Sequence, residues 1–398
     1  MNLRPLGLAV VLFLSAAAPT LAAAQDCSDV PLTQHWDGGS WTQVPVAGAA
    51  DDLSAVVAVS TTDVWAVGSI GVDGAVAEHW DGSSWHQFAM PTPRGASEIE
   101  LYGAAADSST DVWVVGTWAG SGGVGYRSLI ERWDGTGWKL VRSPNPTVGN
   151  VLLHGVAVLS PTDAWAVGSL EIPRYPDFPD RTLVLHWDGK SWKRVPSPSP
   201  TDTGGRHEDE LRGVSAVSPR NVWAVGTYFH RGDGHPVRRR HSYATLVLHW
   251  NGKVWTQVPS PNPSGIGRLN TLDSVAARSA RDVWAMGAYA GRTGGYRLLA
   301  EHWQGNSWQT VRMPLPPTPA QDVPELTSIA PLSAGDVWAS GSYLDGDFLV
   351  AQPLVAHWNG SAWTLVPTPK VGIDSWLPGI AAVSANDVWA VGAWDSCE

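Results

Sequence analysis

The chain has 398 residues, with 26 Lys and Arg against 37 Asp and Glu for a net charge of −11, and tryptophan accounts for 24 of its aromatic residues. The acidic balance excludes general nucleic-acid binding, which needs a basic surface, and the Val and Trp content excludes disorder. Two cysteines are too few for a disulfide scaffold or a cysteine-ligated cluster.

In chain order, the first element is a targeting segment. Arg4 supplies a positive n-region, residues 6–14 form a short apolar run, and Ala22-Ala23-Ala24 offers an A-x-A cleavage site before Gln25. This predicts a secretory signal peptide over 1–24, leaving one domain over 25–398 and a secreted product, extracellular or periplasmic. Cys27 follows Gln25-Asp26 rather than small apolar residues, which argues against a lipoprotein. No later stretch has ~18 uninterrupted apolar residues, so no membrane span is expected, and the mature chain is expected to be a monomer.

The rest of the chain repeats itself. A phrase close to D-V-W-A-V-G centres on Trp65, Trp113, Trp165, Trp223, Trp284, Trp338 and Trp389. A second, H-W-D-G-x-x-W, centres on Trp36, Trp80, Trp133, Trp187, Trp250, Trp303 and Trp358, each with another Trp five residues on. A third, L-x-G-V-x-A-like, begins at Leu53, Leu101, Leu153, Leu211, Leu272, Leu326 and Leu377. Each unit holds four β-rich runs, here called strands A to D, as at 211–217, 222–227, 246–250 and 254–258. Strands C and D are joined by Asp-Gly, Asn-Gly or Gln-Gly, which suits a tight hairpin. Strands A and B are mostly joined by S-x-x-D, whose side chains can bond turn amides. Four-stranded units repeated seven times predict an all-β, seven-bladed β-propeller of antiparallel blades.

The spacing sharpens this expectation. From the A leucine to the B tryptophan is always 12 residues and from the C to the D tryptophan always 5, whereas B to C spans 15–27 and D to A spans 12–19. The A–B and C–D turns therefore make one uniform face, and the B–C and D–A loops make a variable rim, where specificity belongs. The chain begins with strands C and D and ends with strands A and B, so its two ends must share the seventh blade. Cys27 lies 9 residues before Trp36 and Cys397 lies 8 after Trp389. A Cys27–Cys397 disulfide would stand in for the missing B–C loop, and an exported chain permits it.

The motifs V-W-A-V-G-S, L-V-L-H-W-D-G and S-W-x-x-V-P together resemble the kelch repeat of kelch and galactose-oxidase-type propellers, over nearly all of the mature chain. The kelch double glycine is single here (Gly68, Gly116, Gly168, Gly226, Gly341, Gly392), and Trp stands where kelch usually has Tyr. The resemblance implies the fold and little about activity. Galactose-oxidase chemistry needs a cysteine joined to a copper-ligating tyrosine, and both cysteines here are placed at the termini. W-D-G-x-x-W also differs in spacing from the sialidase Asp-box.

Residues present in every blade read as scaffold. This covers 21 of the 24 tryptophans, the W-D-G and D-V-W aspartates, and six of the 12 histidines (His35, His79, His186, His249, His302, His357). Three other sets are candidates for function. His207, Glu208, Asp209 and Glu210 in one D–A loop, with His230, Asp233, His235, Arg239, His241 and Tyr243 in the next B–C loop, read either as a metal or polar-ligand site or as solvated loops. Asp52, Glu100, Glu210 and Glu325 precede the A leucine in four blades; they read as a site at the channel mouth for a cation such as Ca²⁺ or for a basic ligand, or as solvated loop ends. Trp118, Tyr228, Tyr289, Tyr343 and Trp394, two residues past the B-strand glycine, with Trp376, read as sugar-stacking or partner-binding platforms or as strand caps. The reading favoured is a non-catalytic binding propeller that recognises a glycan or an extracellular protein through the variable rim. The alternative is a polysaccharide hydrolase or lyase using carboxylate and His acid–base chemistry on the same rim.

Overall fold

The computed structural model describes residues 28–396 except 47, 49, 73, 123–124, 147–148, 172–179, 201–207, 230–242, 266–267, 293, 316–323 and 346–349. It contains seven four-stranded antiparallel sheets and, among the described residues, no helix. Each sheet is one blade ordered A-B-C-D. Blade 4, for example, comprises Glu210–Ser218, Asn221–Phe229, Tyr243–Trp250 and Trp255–Gln257. The seventh blade joins Ser375–Ser384 and Asp387–Asp395 to Asp29–Trp36 and Trp41–Gln43. The seam pairs Asp29 with Asp395 through to Trp36 with Val388. Just beyond it, the Ser396 amide donates to the Ser28 carbonyl at 3.2 Å. Cys27 and Cys397 are the next residues outward and lie outside the described residues, as does the 1–24 segment.

The B strands are buried on both faces, because every blade is sandwiched between two others. This explains why V-W-A-V-G is apolar throughout rather than alternating. The hydrophobic core is accordingly divided into seven inter-blade clusters. At the centre of each sits a B-strand Trp that is at most 2% exposed. Trp223, typical of the set, packs on Trp303 and edge-on against Trp308 of the next blade, at centroid distances of 5.1 and 5.6 Å. Its other side stacks on His249 of its own blade at 4.2 Å. Edge-on packing turns the positive edge of one indole toward the π face of another. Truncating one such Trp should therefore cost about 3–5 kcal/mol.

The repeat histidines are scaffold, as expected. Each stacks on its B-strand Trp or bonds the residue that starts strand B, as in His79 to Asp63 at 2.8 Å and His302 to Asp282 at 2.8 Å. Blade 2 has Arg132 in that place, bonded to Asp111 at 2.6 Å and lying 4.8 Å over Trp113. The C-strand Trp indoles donate to carbonyls of the A–B turns, as in Trp133 to Ser109 at 3.2 Å. The W-D-G aspartates accept from their own turn amides, as Asp37 does from Gly39 and Ser40 at 2.9 Å. The B-strand glycine is required by contact rather than by φ: a Cβ on Gly226 would lie 2.0 Å from the Glu210 carbonyl oxygen, and Gly287 in blade 5 is crowded in the same way by Thr271.

Three glutamates depart from the apolar pattern. Glu78, Glu131 and Glu301 lie two residues before their C-strand Trp, are 0% exposed, and have no hydrogen-bond partner at either carboxyl oxygen. Burial pushes Glu131 up to about 8, Glu78 up to about 7, and Glu301 well above the ordinary carboxyl range. The folded chain thus holds protons that the unfolded chain releases near 4.5. For these groups the stabilisation is complete below the unfolded value and is lost as pH rises through the folded one. Glu131→Gln should raise the melting temperature at about pH 8 and flatten its decline between about pH 5 and 8, as measured by differential scanning fluorimetry across that range.

Candidate functional site

The A strands pack side by side around the axis, and their small residues allow it. A Cβ on Gly155 would lie 3.0 Å from the Arg212 carbonyl of the next blade, and one on Gly213 would lie 3.0 Å from the Val275 amide. Next to these small residues, every A strand carries a β-bulge. Pairing skips from Leu53 to Ala55, Leu101 to Gly103, Leu153 to Gly155, Leu211 to Gly213, Leu272 to Ser274 and Leu326 to Ser328. In the closing blade it skips from Trp376 to Gly379. A bulge leaves a residue unpaired and re-aims its side chain. The residues released in this way include Ser54, Tyr102, His154, Arg212, Asp273, Thr327 and Pro378, one per blade. All seven line a central cavity of about 140 Å³. Since the A strands start at the variable rim, this ring sits at the channel mouth on that side.

The ring is internally bonded on one side. Arg212 Nε donates to Glu210 Oε1 at 2.7 Å, and Nη1 donates to Asp273 Oδ1 at 2.6 Å. Thr227 and Thr271 hydroxyls reach the same two carboxylates at 3.4 Å. Burial raises the Glu210 carboxyl, but the Arg212 charge and its hydrogen bonds outweigh that and hold it below its ordinary value. On Asp273 burial prevails over Arg212, so its carboxyl is raised. Across the ring, the Tyr102 hydroxyl donates to Glu100, whose carboxyl is raised by burial and by Glu98 and Asp52. The Tyr102 and His154 rings lie 5.2 Å apart. Burial lowers His154 to about 4, so the imidazole is neutral at pH 7, and its Nε2 is buried without a partner.

The expected site residues fare differently. His207, His230, Asp233, His235, Arg239 and His241 lie outside the described residues. Of their described neighbours, Glu208 accepts from the Tyr243 hydroxyl. Asp209 is 1% exposed, takes a bond from Ser199 at 2.8 Å, and is pushed up to about 7 by burial. Asp180 is likewise pushed up to about 7, by burial and by the charges of Glu171, Glu210, Glu208 and Asp209.

The expected cation set is not assembled. Among the described residues no three His, Cys, Asp or Glu side chains converge where they could hold a metal ion. Asp52, Glu100, Glu210 and Glu325 stand in the paired stretch ahead of the bulge, and three of them are engaged locally. Asp52 accepts from the Ser69 amide at 2.8 Å, Glu100 from Tyr102 and Glu210 from Arg212. Glu325 is in register with Ser342.

The aromatic set is half-buried packing rather than an open platform. Trp118, Tyr228, Tyr289, Tyr343 and Trp394 each lie against an inter-blade cluster. Trp376 is half-buried at the start of its A strand, in register with Ala393.

The channel ring itself was not anticipated from the sequence. Its signal was present in the x of the L-x-G-V motif, which reads Ser, Tyr, His, Arg, Asp, Thr and Pro around the seven units while its flanks stay nearly constant.

The fold and this mouth define a seven-bladed propeller with a polar central channel. No protein-family model matches the chain, and no curated protein matches it. Among solved structures it is similar to an ulvan lyase, a polysaccharide lyase bound to a GlcA(1-4)Rha3S segment. That match has 10% identity, covers 86% of this chain and 92% of the other, and has a TM-score of 0.52. YCF48 bound to a D1 peptide matches at 13% identity over 88% and 92% of the two chains, with a TM-score of 0.49. The fucose-recognising lectin of Aleuria aurantia, itself six-bladed, matches at 13% identity over 80% and 97%, with a TM-score of 0.47. At these identities the likeness concerns the propeller fold.

Arg212 supports the mouth electrostatically, and this can be tested. Arg212→Met leaves Glu210 and Asp273 facing each other unpaired. At neutral pH it should cost about 2–3 kcal/mol in denaturant unfolding, below the ~3–5 for a fully buried pair, because 34% of the Arg212 side chain remains exposed. The loss should shrink on acidification, as the two carboxylates take up protons.

Proposed function

We propose that this protein is a secreted binding propeller, acting as a monomer, that holds a glycan at the mouth of its central channel. The observation that carries this reading is the bulged ring. Seven unlike side chains, six of them polar, converge on one central cavity of about 140 Å³. Carboxylates and hydroxyls in such a ring accept and donate bonds to sugar hydroxyls, and the rigid wall pre-pays their ordering. The lyase and lectin propellers similar in fold bind glycans, which accords with this reading. An extracellular protein is the other partner class, and it would use the broader rim rather than the channel.

A hydrolase or lyase reading draws on Asp180 and Asp209, whose carboxyls titrate at about 7. Binding is preferred because the ring offers little acid–base chemistry. Glu210 is held ionised by Arg212, and an imidazole titrating at about 4 is a weak base. A glycan array with the full chain, followed by product analysis on each bound glycan, tests the choice. Saturable binding without cleavage, weakened at least about tenfold by His154→Ala, is expected. Product release that Asp180→Asn or Asp209→Asn abolishes would establish the enzyme instead.

The kelch-like kinship of the repeat, the signal peptide over 1–24 and the Cys27–Cys397 bond belong to the same proposal. The bonded Ser28 and Ser396 next to the two cysteines support the disulfide. Closing a loop of ~370 residues corresponds to about 5–6 kcal/mol by chain entropy. Peptide mapping of exported protein without reductant should recover the linked terminal peptides, and reduction should lower the melting temperature.

A further inference from the structure

We infer that the channel mouth holds a single terminal ring of a glycan, inserted end-on, and that this ring is uncharged: a neutral sugar rather than a uronic acid or an amino sugar. This rests on the glycan reading above and deepens it.

Size and enclosure dictate the end-on mode. A cavity of ~150 Å³ accepts one six-membered ring, so the central cavity of about 140 Å³ takes one sugar ring and not two. All seven blades contribute an A strand to its wall. These strands stand so close that a Cβ on Gly103 would lie 2.9 Å from the His154 carbonyl oxygen, and one on Gly379 would lie 3.2 Å from the Val56 amide. A ligand therefore enters along the axis and not between blades. An internal ring of a polysaccharide carries chain on both sides, and a space for one ring leaves no room for the chain beyond it. A chain end presents one ring with a single attachment, which points back to the rim.

Charge balance argues for neutrality. Among the described residues that line the cavity, Arg212 and Asp273 are the only Lys, Arg, Asp or Glu, and they bond each other at 2.6 Å. Arg212 also serves Glu210, which stands outside the lining. A uronate would compete with two carboxylates for that guanidinium, and an ammonium would find Asp273 already paired, so either charge would be desolvated without a free partner. The remaining polar groups are uncharged. Ser54 adds a hydroxyl, and the Thr327 hydroxyl donates to the Pro378 carbonyl at 2.9 Å, which leaves its oxygen to accept. His154 Nε2 is buried without a partner, a costly state for a polar atom. A sugar hydroxyl both donates and accepts, so it satisfies Nε2 in either tautomer.

The test is titration calorimetry on the full chain with the methyl glycosides of glucose, galactose and mannose, the uronic acid and 2-amino counterparts of each, and linear oligomers of the three neutral sugars. At least one neutral glycoside should bind, at least about tenfold more tightly than its charged counterparts, and its affinity should not change with added salt. The linear oligomer of that sugar should bind within about threefold of the glycoside, because only its end is seated. Ser54→Phe fills the cavity without touching the Arg212–Asp273 bond; it should abolish binding and leave the melting temperature unchanged. Thr327→Leu should weaken binding as well, and it keeps the test decisive if Ser54→Phe fails to fold. Unchanged affinity in either folded variant would overturn the inference. So would a charged counterpart that binds as tightly as the neutral sugar, or an oligomer that binds more than about tenfold more tightly than its glycoside. Array binding of oligosaccharides with no binding of any glycoside would overturn it and leave the glycan reading standing, whereas binding of no glycan at all would overturn both.

Discussion

The structure depends on one contact made seven times: a B-strand tryptophan wedged between the C- and D-strand tryptophans of the next blade. Propeller blades lack a shared central core, so stability must come from blade-to-blade interfaces. Large flat indoles fill the wedge-shaped gap, and the tilted and edge-on pairings let three of them meet without a void. The partner on the other side is supplied by the same short phrase. The His before the C-strand Trp stacks on the B-strand Trp and bonds the residue that starts strand B, or, in blade 2, Arg132 does both. The motif is thus a set of mutually satisfied contacts, and this is why it recurs with so little change.

A rigid wall of this kind frees the innermost strand to carry function. The A strands approach closely enough that only Gly, Ala or Ser fits beside the neighbouring strand, and the bulge next to that small residue turns one side chain out of the ladder into the channel. The same bulge region explains the B-strand glycine, because the carbonyl that precedes the A leucine lies where a Cβ would be. Scaffold and site are therefore coupled through backbone geometry. Seven copies of one irregularity present seven different side chains at a single mouth.

The three buried glutamates mark a second departure from the repeat. They occupy a position filled by Gln34, Leu185, Leu248 and Ala356 in the other blades. Uncharged, a glutamic acid side chain fits such a site as a glutamine does; charged, it opposes folding. At these three positions the folded state is therefore favoured more at acidic than at alkaline pH.

The fold and its closure were legible from residue spacing alone. Invariant distances of 12 and 5 residues, the variable loops between them, and the split seventh blade required only that blades be equivalent. The scaffold roles of His79 or Asp37 followed from their recurrence. The site was much less legible. Residues chosen for being unusual, such as Trp118 and Tyr228, proved to pack between blades, and of the carboxylates before the A leucine Asp52, Glu100 and Glu210 proved to be bonded within or beside their own strands. What the sequence determined was the repeating unit, because hydrophobic period and turn chemistry are local and each blade repeats them. What tertiary structure decided was which residue enters the channel. A bulge shifts the alternation by one, and only its place on the innermost strand turns Tyr102, His154, Arg212 and Asp273 toward one another from four separate blades.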